Sequence, residues 1–320
     1  GKERSRAVLK VAFLDFVFEN RDDIQLEGCT FSIHPPVHTA DEIVAAAAEA
    51  DVLCMRDQFG QVTRQVLDRL PSLKLIVTRS VGYDHIDLVE TESRGIPVCN
   101  VPDYGANMIA EHAFGLLLCV ARHVVKGHDR YRQERLFSDQ GLQGMELLGK
   151  TLGVIGTGRI GQHSIRIAKG FEMRVVAHDV QPNEAAADRL GFVYESLENL
   201  LAVSDAVTLH VTLNDATHHL INAVRLAQMK QGAILINTSR GVVIDTQALV
   251  MALRAGHLGG AGLDVLENER DTYHDFADLN VVVTPHLGWY TDGSVDRILK
   301  TTLDNIAAFM REEIINRLAS

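Results

Sequence analysis

The sequence predicts an α/β protein with two domains, each built on a parallel β-sheet that carries helices on both faces. Short apolar runs, typical of buried strands, alternate with amphipathic helical segments along most of the 320 residues, which is the βαβ rhythm of parallel sheets. In mid-chain a glycine-rich turn directly follows one such run and starts a second βαβ series. A chain of this length is also long for one core and comfortable for two.

The first βαβ series covers about the first 100 residues. Residues 8–16 predict a strand, and Thr39-Ala40-Asp41-Glu42 is a capping box that opens an alanine-rich helix. Further strands are predicted at residues 52–54, 73–78 and 98–100, with helices at 63–70 and 87–94. A long helical segment, about residues 107–135, then leads into the second series.

The glycine turn of the second series predicts a dinucleotide site. The apolar run 151–155 leads into Gly156, Gly158 and Gly161, which suit a tight bend, a close approach to a pyrophosphate and the packing of helix on strand. Asp179 lies 18 residues after Gly161 at the end of the next strand, where a carboxylate can bind a ribose 2'-hydroxyl and favours NAD over NADP. The residues predicted to hold the dinucleotide here are Gly156, Gly158, Arg159, Ile160, Gly161 and Asp179. The alternative is another nucleotide-type ligand, such as the S-adenosylmethionine of a methyltransferase.

The remaining strands of this series are predicted at residues 206–210, 233–237, 260–264 and 281–284. A last helix, about 293–309, has the length and apolar spacing to return and pack on the first domain. We therefore expect two Rossmann-like domains: a discontinuous substrate domain of residues 1–104 and 290–320, and an inserted NAD-binding domain of residues 105–289, with the active site in the cleft between them.

Composition narrows the classes of partner. The formal net charge of −11 and the pI near 5.7 disfavour binding to nucleic acid or to an anionic membrane. The four cysteines form no C-x-x-C pair, so neither a metal site nor a disulfide framework is expected. The longest apolar stretch, residues 113–121, is too short to span a bilayer, and no N-terminal signal sequence is recognised. We expect a cytoplasmic protein.

Three charged or titratable residues follow predicted strands of the second sheet. Arg240 comes after a buried run and precedes a glycine, and a guanidinium there suits bidentate capture of a carboxylate. His286 follows another strand, and Glu269 lies in the loop after a third; a histidine oriented by a carboxylate is a competent general acid and base. Taken singly, each has a plainer reading as a surface ion pair, a structural histidine or a surface acid, but their joint placement favours catalysis.

With these residues the chain resembles the D-isomer-specific 2-hydroxyacid dehydrogenase family over nearly all of its length. The resemblance lies in Val81-Gly82-Tyr83-Asp84, Asn100-Val101-Pro102, Ala110-Glu111-His112, the glycine turn, residues 237–241, residues 262–269 and Pro285-His286. It implies that His286 exchanges the substrate hydroxyl proton, that Glu269 holds the imidazole and raises its pKa, and that Arg240 binds the carboxylate and polarises the C2 oxygen. A methyltransferase would have no chemical need for this arginine, glutamate and histidine.

The resemblance also implies further contacts. The backbone N–H groups of Val81 and Gly82 would bind the substrate carboxylate, and Tyr104 and Trp289 would line the substrate pocket. Both aromatics have an alternative as packing residues, Tyr104 between the domains and Trp289 at the hinge. On the cofactor side, the residues implied are Thr212, Thr217, Thr238 and Asp264. Two features bear on substrate. The segment 266–270 differs from that of many relatives, which have a proline soon after the second acid, and Val81 stands where phosphite dehydrogenases have a lysine.

We expect an NAD-dependent oxidoreductase that transfers a hydride between nicotinamide and C2 of a small D-2-hydroxy acid, with D-lactate and pyruvate as the leading pair. The alternative is an NAD(H)-sensing module of the corepressor type with little turnover. Relatives in this family are typically dimers, and segment 107–135, with Phe114, Leu117, Val120 and Val124, could supply a homodimer interface. The same apolar stripe could equally be core within one chain.

Overall fold

The computed structural model describes residues 8–14, 24–56, 60–269 and 276–319. The predicted class, α/β with two parallel sheets, is confirmed. The chain divides into two compact units, one formed by Gly1–Tyr104 with Thr291–Ser320 and the other by Gly105–Tyr290.

The first unit contains a five-stranded parallel sheet. Its strands, in chain order, are β1 (Leu9–Phe13), β2 (Cys29–Ile33), β3 (Val52–Met55), β4 (Leu75–Thr78) and β5 (Val98–Cys99). They lie in the order β2-β1-β3-β4-β5. Its helices are α1 (Ala40–Ala47), α2 (Arg64–Leu67), α3 (Leu88–Ser93) and α11 (Asp292–Met310).

Two of these helices show how local sequence sets their ends and their packing. Helix α1 begins at the predicted capping box, where the Thr39 hydroxyl accepts from the Glu42 amide and the Glu42 carboxylate accepts from the Thr39 amide. Helix α11 buries Leu299 and Ile306 in one core cluster with residues of β1, β3 and β4, so the last helix belongs to the first unit. The end of the predicted 8–16 strand, residues 15 and 16, lies outside the described residues.

The second unit contains a seven-stranded parallel sheet. Its strands are β6 (Thr151–Ile155), β7 (Arg174–His178), β8 (Val193–Tyr194), β9 (Ala206–Leu209), β10 (Ile234–Asn237), β11 (Gly260–Leu263) and β12 (Val281–Val283). They lie in the order β12-β11-β10-β9-β6-β7-β8. Its helices are α4 (Ala106–Ala121), α5 (Val124–Glu134), α6 (Arg159–Gly170), α7 (Glu184–Leu190), α8 (Leu197–Val203), α9 (Ala223–Gln228) and α10 (Thr246–Arg254), with a 3₁₀-helix at Gly241–Val243. Every residue of β6, β9, β10 and β11 is buried, as expected for central parallel strands covered on both faces.

The helical segment predicted over residues 107–135 consists of two helices in the structure. Helix α4 ends at Ala121, and α5 begins at Val124 after a bend of 61°. The cause is local: His123 adopts a left-handed conformation with φ 52°, which a continuous α-helix of L-residues does not accommodate. The break separates an apolar helix from a polar one, since α4 is half buried and α5 buries none of its residues.

Of the two alternatives for the apolar stripe of that segment, a dimer interface or the core within one chain, most of its side chains follow the second. Phe114, Leu117 and Val120 are buried with residues of β6, β7 and β10 in one cluster, whereas Val124 is exposed. Among the described residues, no single helix has the length and hydropathy needed to cross a membrane; only the bent pair α4 and α5 meets that test jointly.

Candidate active site

The three glycines of the turn after β6 have distinct steric roles. Gly156 has φ +93°, and a side chain there would collide with the carbonyl oxygen of His210. A Cβ at Gly161 would overlap the carbonyl oxygen of Gly156, so this glycine allows α6 to approach the turn. A Cβ at Gly158 would meet nothing within 4 Å, so the face of this glycine is open. The residues present therefore fit a pyrophosphate that approaches the backbone at Gly158.

Helix α6 begins at Arg159 directly beyond that open face. Its N-cap is Gly158, and no side chain caps the helix. With no capping side chain at Gly158, the first turn and the positive end of the helix dipole favour an anion there. Arg159 is exposed and Ile160 half-buried at this end of the helix.

Asp179 lies just beyond β7 and is held by the glycine turn itself. Its Oδ2 accepts from the Thr157 amide at 2.6 Å and from the Thr157 hydroxyl at 2.9 Å, and its Oδ1 accepts from the Gln181 amide at 2.9 Å. Burial by itself raises the pKa of this carboxyl, but the hydrogen bonds from Thr157 and Gln181 outweigh burial, so the pKa lies below its usual value. The Tyr194 hydroxyl, 2.8 Å from that of Thr157, completes the network. Asp179 is thus presented as a carboxylate.

His210 follows β9 and contacts the glycine turn from behind. Its Nε2 lies 2.8 Å from the Ser164 hydroxyl on α6 and 3.1 Å from the Thr208 hydroxyl on β9. Burial lowers the pKa of His210 to about 3, so the imidazole is neutral at physiological pH.

The three predicted cofactor threonines follow β9 and β10. The Thr217 hydroxyl donates to the Thr212 carbonyl at 2.7 Å and accepts from the Asn214 amide at 2.8 Å, which closes a compact turn after β9. The Thr238 hydroxyl is buried and has no hydrogen-bond partner among the described residues. An unpaired buried hydroxyl is costly, and a polar group of a bound cofactor would satisfy it.

Arg240, Glu269 and His286 follow three neighbouring strands. Strand β11 pairs with both β10 and β12, and because all three are parallel, the residues after them lie at one edge of the sheet. The Nδ1 atom of His286 is 3.6 Å from Oε1 of Glu269. That separation is within ion-pair range and longer than a hydrogen bond. Arg240 is half-buried, and one of its guanidinium N–H groups donates to the Ser239 carbonyl at 3.0 Å.

A glycine and a glutamate allow the loops after β9, β10 and β11 to contact one another. A Cβ at Gly241 would overlap the backbone of Leu266 and Glu267, so the residue after Arg240 has to be glycine for these loops to touch. Glu267 accepts from His219 at 2.5 Å and from the Thr246 amide at 3.2 Å. Glu267 therefore stabilises the arrangement of loops that carries Arg240 and Glu269.

Asp264, directly after β11, is 2% exposed and makes four hydrogen bonds through its carboxylate. Its Oδ1 accepts from the Thr284 hydroxyl at 2.5 Å, from the Leu287 amide at 2.7 Å and from His112 at 3.1 Å. Its Oδ2 accepts from the Gly288 amide at 2.8 Å. Burial raises the pKa of this carboxyl, but the four hydrogen bonds outweigh burial and lower the pKa below its usual value. The predicted contact of Asp264 with nicotinamide stays a prediction.

The predicted substrate residues Val81, Gly82 and Tyr104 belong to the first unit. The Val81 carbonyl accepts from Asn100 at 3.0 Å and the Gly82 carbonyl from the Ser80 hydroxyl at 2.7 Å. Among the described residues the amides of Val81 and Gly82 donate to no backbone carbonyl, which suits the predicted anion site.

The predicted aromatic contacts occupy different environments. Tyr104 is buried, and its carbonyl accepts from Nε of Arg297 at 2.7 Å. Trp289, in the second unit, is half-buried, and its ring lies 5.0 Å from that of the exposed Tyr290. The substrate contacts of Tyr104 and Trp289 stay predictions, and residues 270–275 lie outside the described residues.

Several site residues were given no role by the sequence reasoning, although His112 belongs to a motif that carries the resemblance. His112 is separated from Asp264 by 152 residues, and His219 from Glu267 by 48, so no local motif joins either pair. Thr157 could have been noticed, since it lies between two glycines of the motif and a hydroxyl there reaches the acid that ends the next strand. No cluster of three His, Cys, Asp or Glu side chains suited to a metal ion occurs in the described part of the chain.

Comparison with known proteins agrees with this geometry. Residues 114–288 match the family described as D-isomer specific 2-hydroxyacid dehydrogenase, NAD binding domain. A glyoxylate reductase of Pyrococcus furiosus is 42% identical over 262 residues, which cover 79% of this chain and 78% of that protein. The D-lactate dehydrogenase of Escherichia coli is 38% identical over 268 residues, covering 78% and 81%.

A solved structure shares the whole architecture. The D-lactate dehydrogenase of Aquifex aeolicus, complexed with NAD and lactic acid, superposes with a TM-score of 0.83 at 34% identity and covers 95% of this chain and 96% of its own. The glycine turn, the acid after β7 and the polar strand ends thus occur within a match that spans both units. The chain belongs to the D-isomer specific 2-hydroxyacid dehydrogenase family, with NAD as its cofactor.

Proposed function

We propose that this chain catalyses hydride transfer between NAD(H) and C2 of a small D-2-hydroxy acid or its 2-oxo acid, with D-lactate and pyruvate as the leading pair. The observation that carries the proposal is that Arg240, Glu269 and His286 follow three neighbouring parallel strands, β10, β11 and β12, with Glu269 3.6 Å from His286. These residues supply a fixed cation, a carboxylate and an imidazole, the groups needed to bind and protonate an oxo acid.

Each residue has a distinct task in this proposal. NADH, when bound, supplies the hydride that reduces C2. The Arg240 guanidinium binds the substrate carboxylate and polarises the C2 oxygen. Because Nδ1 of His286 is the ring nitrogen near Glu269, Nε2 is the atom that gives its proton to the C2 oxygen during reduction and takes it back during oxidation. Glu269 stabilises the imidazolium. Val81 and Gly82 are proposed as further carboxylate contacts through their amides.

The balance of protons predicts opposed pH preferences for the two directions. Reduction requires His286 to start protonated, so the rate of reduction should fall as pH rises. Oxidation requires a neutral imidazole, so its rate should fall as pH drops. Rates of reduction and oxidation that change with pH in the same direction would contradict the role of His286.

Glyoxylate is a second candidate substrate, because a 42% identical relative is a glyoxylate reductase. Pyruvate and glyoxylate differ by one methyl group, and a methyl in an apolar pocket changes discrimination by only about 10- to 200-fold. The assay is the loss of NADH absorbance with pyruvate, glyoxylate, hydroxypyruvate, 2-oxobutyrate and phenylpyruvate, each with wild type and with His286→Ala. If kcat/KM is higher for pyruvate than for glyoxylate, D-lactate and pyruvate are supported as the substrate pair. If it is higher for glyoxylate, glyoxylate becomes the proposed substrate.

The same assay separates enzyme from sensor. A fluorescence titration of NADH with both proteins gives the Kd independently of turnover. Tight NADH binding with no turnover of any oxo acid would reject the dehydrogenase proposal and favour the sensing module. Turnover that His286→Ala abolishes at unchanged NADH Kd would reject the sensor.

We also propose a homodimer formed through α5 and the segment after it. The outer surface there is apolar, with Phe137 95% exposed and Tyr131 and Leu136 also exposed. These side chains border a surface pocket of about 710 Å³. Exposed apolar clusters of this kind are unusual on a monomer and favour a protein partner. A cytoplasmic location remains a proposal, supported by cysteines without disulfides: Cys54 and Cys99 are buried, and Cys29 and Cys119 are half-buried.

A further inference from the structure

The backbone at His286 adopts a conformation that histidine seldom takes. Its φ is 53°, in the left-handed region where non-glycine residues are uncommon. Such a conformation persists only where the surroundings hold it in place. The groups that hold this bend therefore also set the direction of the imidazole.

Asp264 holds the chain on both sides of that bend. Its carbonyl accepts from the His286 amide at 2.9 Å, and its carboxylate accepts from the amides of Leu287 and Gly288. Three successive N–H groups thus bind one residue. Gly288 fits because it has no side chain: a Cβ there would lie 2.9 Å from Oδ2 of Asp264 and 3.6 Å from Cδ2 of His112.

Two further side chains hold the Asp264 carboxylate. The Thr284 hydroxyl donates its one proton to Oδ1 at 2.5 Å and so presents oxygen lone pairs to His112, whose Nε2 is 2.9 Å away. A carboxylate only accepts, and the hydroxyl proton is already used, so Nε2 of His112 must carry hydrogen. That N–H is shared between Thr284 and Asp264.

Through His112, a helix also takes part in this hydrogen-bond network. It lies on α4, which packs against β11 and β12, and its side chain is 24% exposed. We propose that His112 and Thr284 are positioning residues for His286: by holding Asp264, they keep the loop of residues 284–288 in the left-handed bend that presents the imidazole. This inference rests on the proposed function of His286, but its structural half can be measured without turnover.

The test uses paired variants. His112→Phe and Thr284→Val remove the hydrogen bonds while keeping size, and His112→Gln and Thr284→Ser keep a donor or a hydroxyl. His257→Phe is the matched control, because His257 also bonds two groups of the second unit, the Leu226 carbonyl and Gln231, and precedes β11 at the opposite edge of the sheet. Four quantities are measured: kcat, KM for the oxo acid, NADH Kd by fluorescence, and amide hydrogen exchange over residues 284–290.

We expect His112→Phe and Thr284→Val to lower kcat by about tenfold or more, in line with the loss of an outer contact that orients a reacting group. NADH Kd should stay within about twofold. Exchange of the Leu287 and Gly288 amides should accelerate while the rest of the unit is unchanged. His112→Gln and Thr284→Ser should recover most of kcat, and His257→Phe should alter none of the four quantities.

Two results would overturn the inference. The first is unchanged kcat in His112→Phe and Thr284→Val when wild type is active. The second is exchange over residues 284–290 that is unchanged, or that accelerates equally throughout the unit. If wild type binds NADH but reduces no oxo acid, the proposed function fails, and the exchange data alone then decide whether His112 and Thr284 hold the bend.

Discussion

His210→Gln is the substitution whose effect on stability can be worked out most fully. Glutamine places its amide nitrogen about where Nε2 of the imidazole lies, so hydrogen bonding to Ser164 and Thr208 can continue, but glutamine does not titrate. The pKa of His210 is about 3 in the folded protein, and an unfolded chain has a histidine pKa of about 6.5. Between these values the unfolded chain binds the proton and the folded chain does not.

The sign follows from that difference. Stability is fully present above pH 6.5 and is lost as pH falls toward 3, because protonation then favours the unfolded chain. The loss is about 1.4 kcal/mol per pH unit, so lowering the pH from 6.5 to 5 removes about 2 kcal/mol of wild-type stability through this one group. His210→Gln lacks this loss. The stability advantage of wild type over the variant should therefore shrink by about 2 kcal/mol between about pH 7.5 and pH 5.

Urea unfolding followed by tryptophan fluorescence is the assay, because the one tryptophan, Trp289, lies in the same unit as His210. His218→Gln is the control, since it removes an exposed histidine from the same unit. A wild-type advantage over His210→Gln that is the same at both pH values would refute the reasoning, since it would mean that His210 titrates alike in both states.

Three further predictions concern the cofactor and the assembly. Gly161→Ala should weaken NADH binding at least about tenfold and lower Tm, because its Cβ would overlap the Gly156 carbonyl; Gly170→Ala, with nothing within 4 Å in the same helix, should raise stability by about 0.5–1 kcal/mol. NADH affinity is measured by fluorescence titration and Tm by thermal unfolding. If Gly161→Ala and Gly170→Ala changed both quantities equally, the steric role of Gly161 would be contradicted. Asp179→Ala should shift the kcat/KM ratio toward NADPH by about 10- to 100-fold, the value of a hydrogen bond to a charged group; an unchanged ratio would count against Asp179 as the ribose contact. Phe137→Asp should give monomers in sedimentation velocity at concentrations where wild type is dimeric. If the variant dimerises as tightly as wild type, the interface does not include Phe137.

Strong local signals account for the parts that could be predicted. The buried apolar runs specify strands β6 and β10, because a central parallel strand has no solvent-facing side to vary. The spacing of the glycines predicts where side chains are sterically excluded, because a tight bend and a close helix approach each leave no room for a side chain. The acid at position 179 and the polar residues after β10, β11 and β12 follow from one rule, that ligands bind beyond the carboxyl ends of parallel strands.

The sequence alone thus determined the α/β class, the dinucleotide motif and the residues Arg240, Glu269 and His286 as candidates. The tertiary structure decided how they are held. It divides the helical segment expected at residues 107–135 into two helices at His123, and it buries Phe114 in the core of its own unit. It also joined His112 to Asp264 across 152 residues. Contacts of that separation depend on how strands and helices pack, and no pattern within a local window of sequence encodes them.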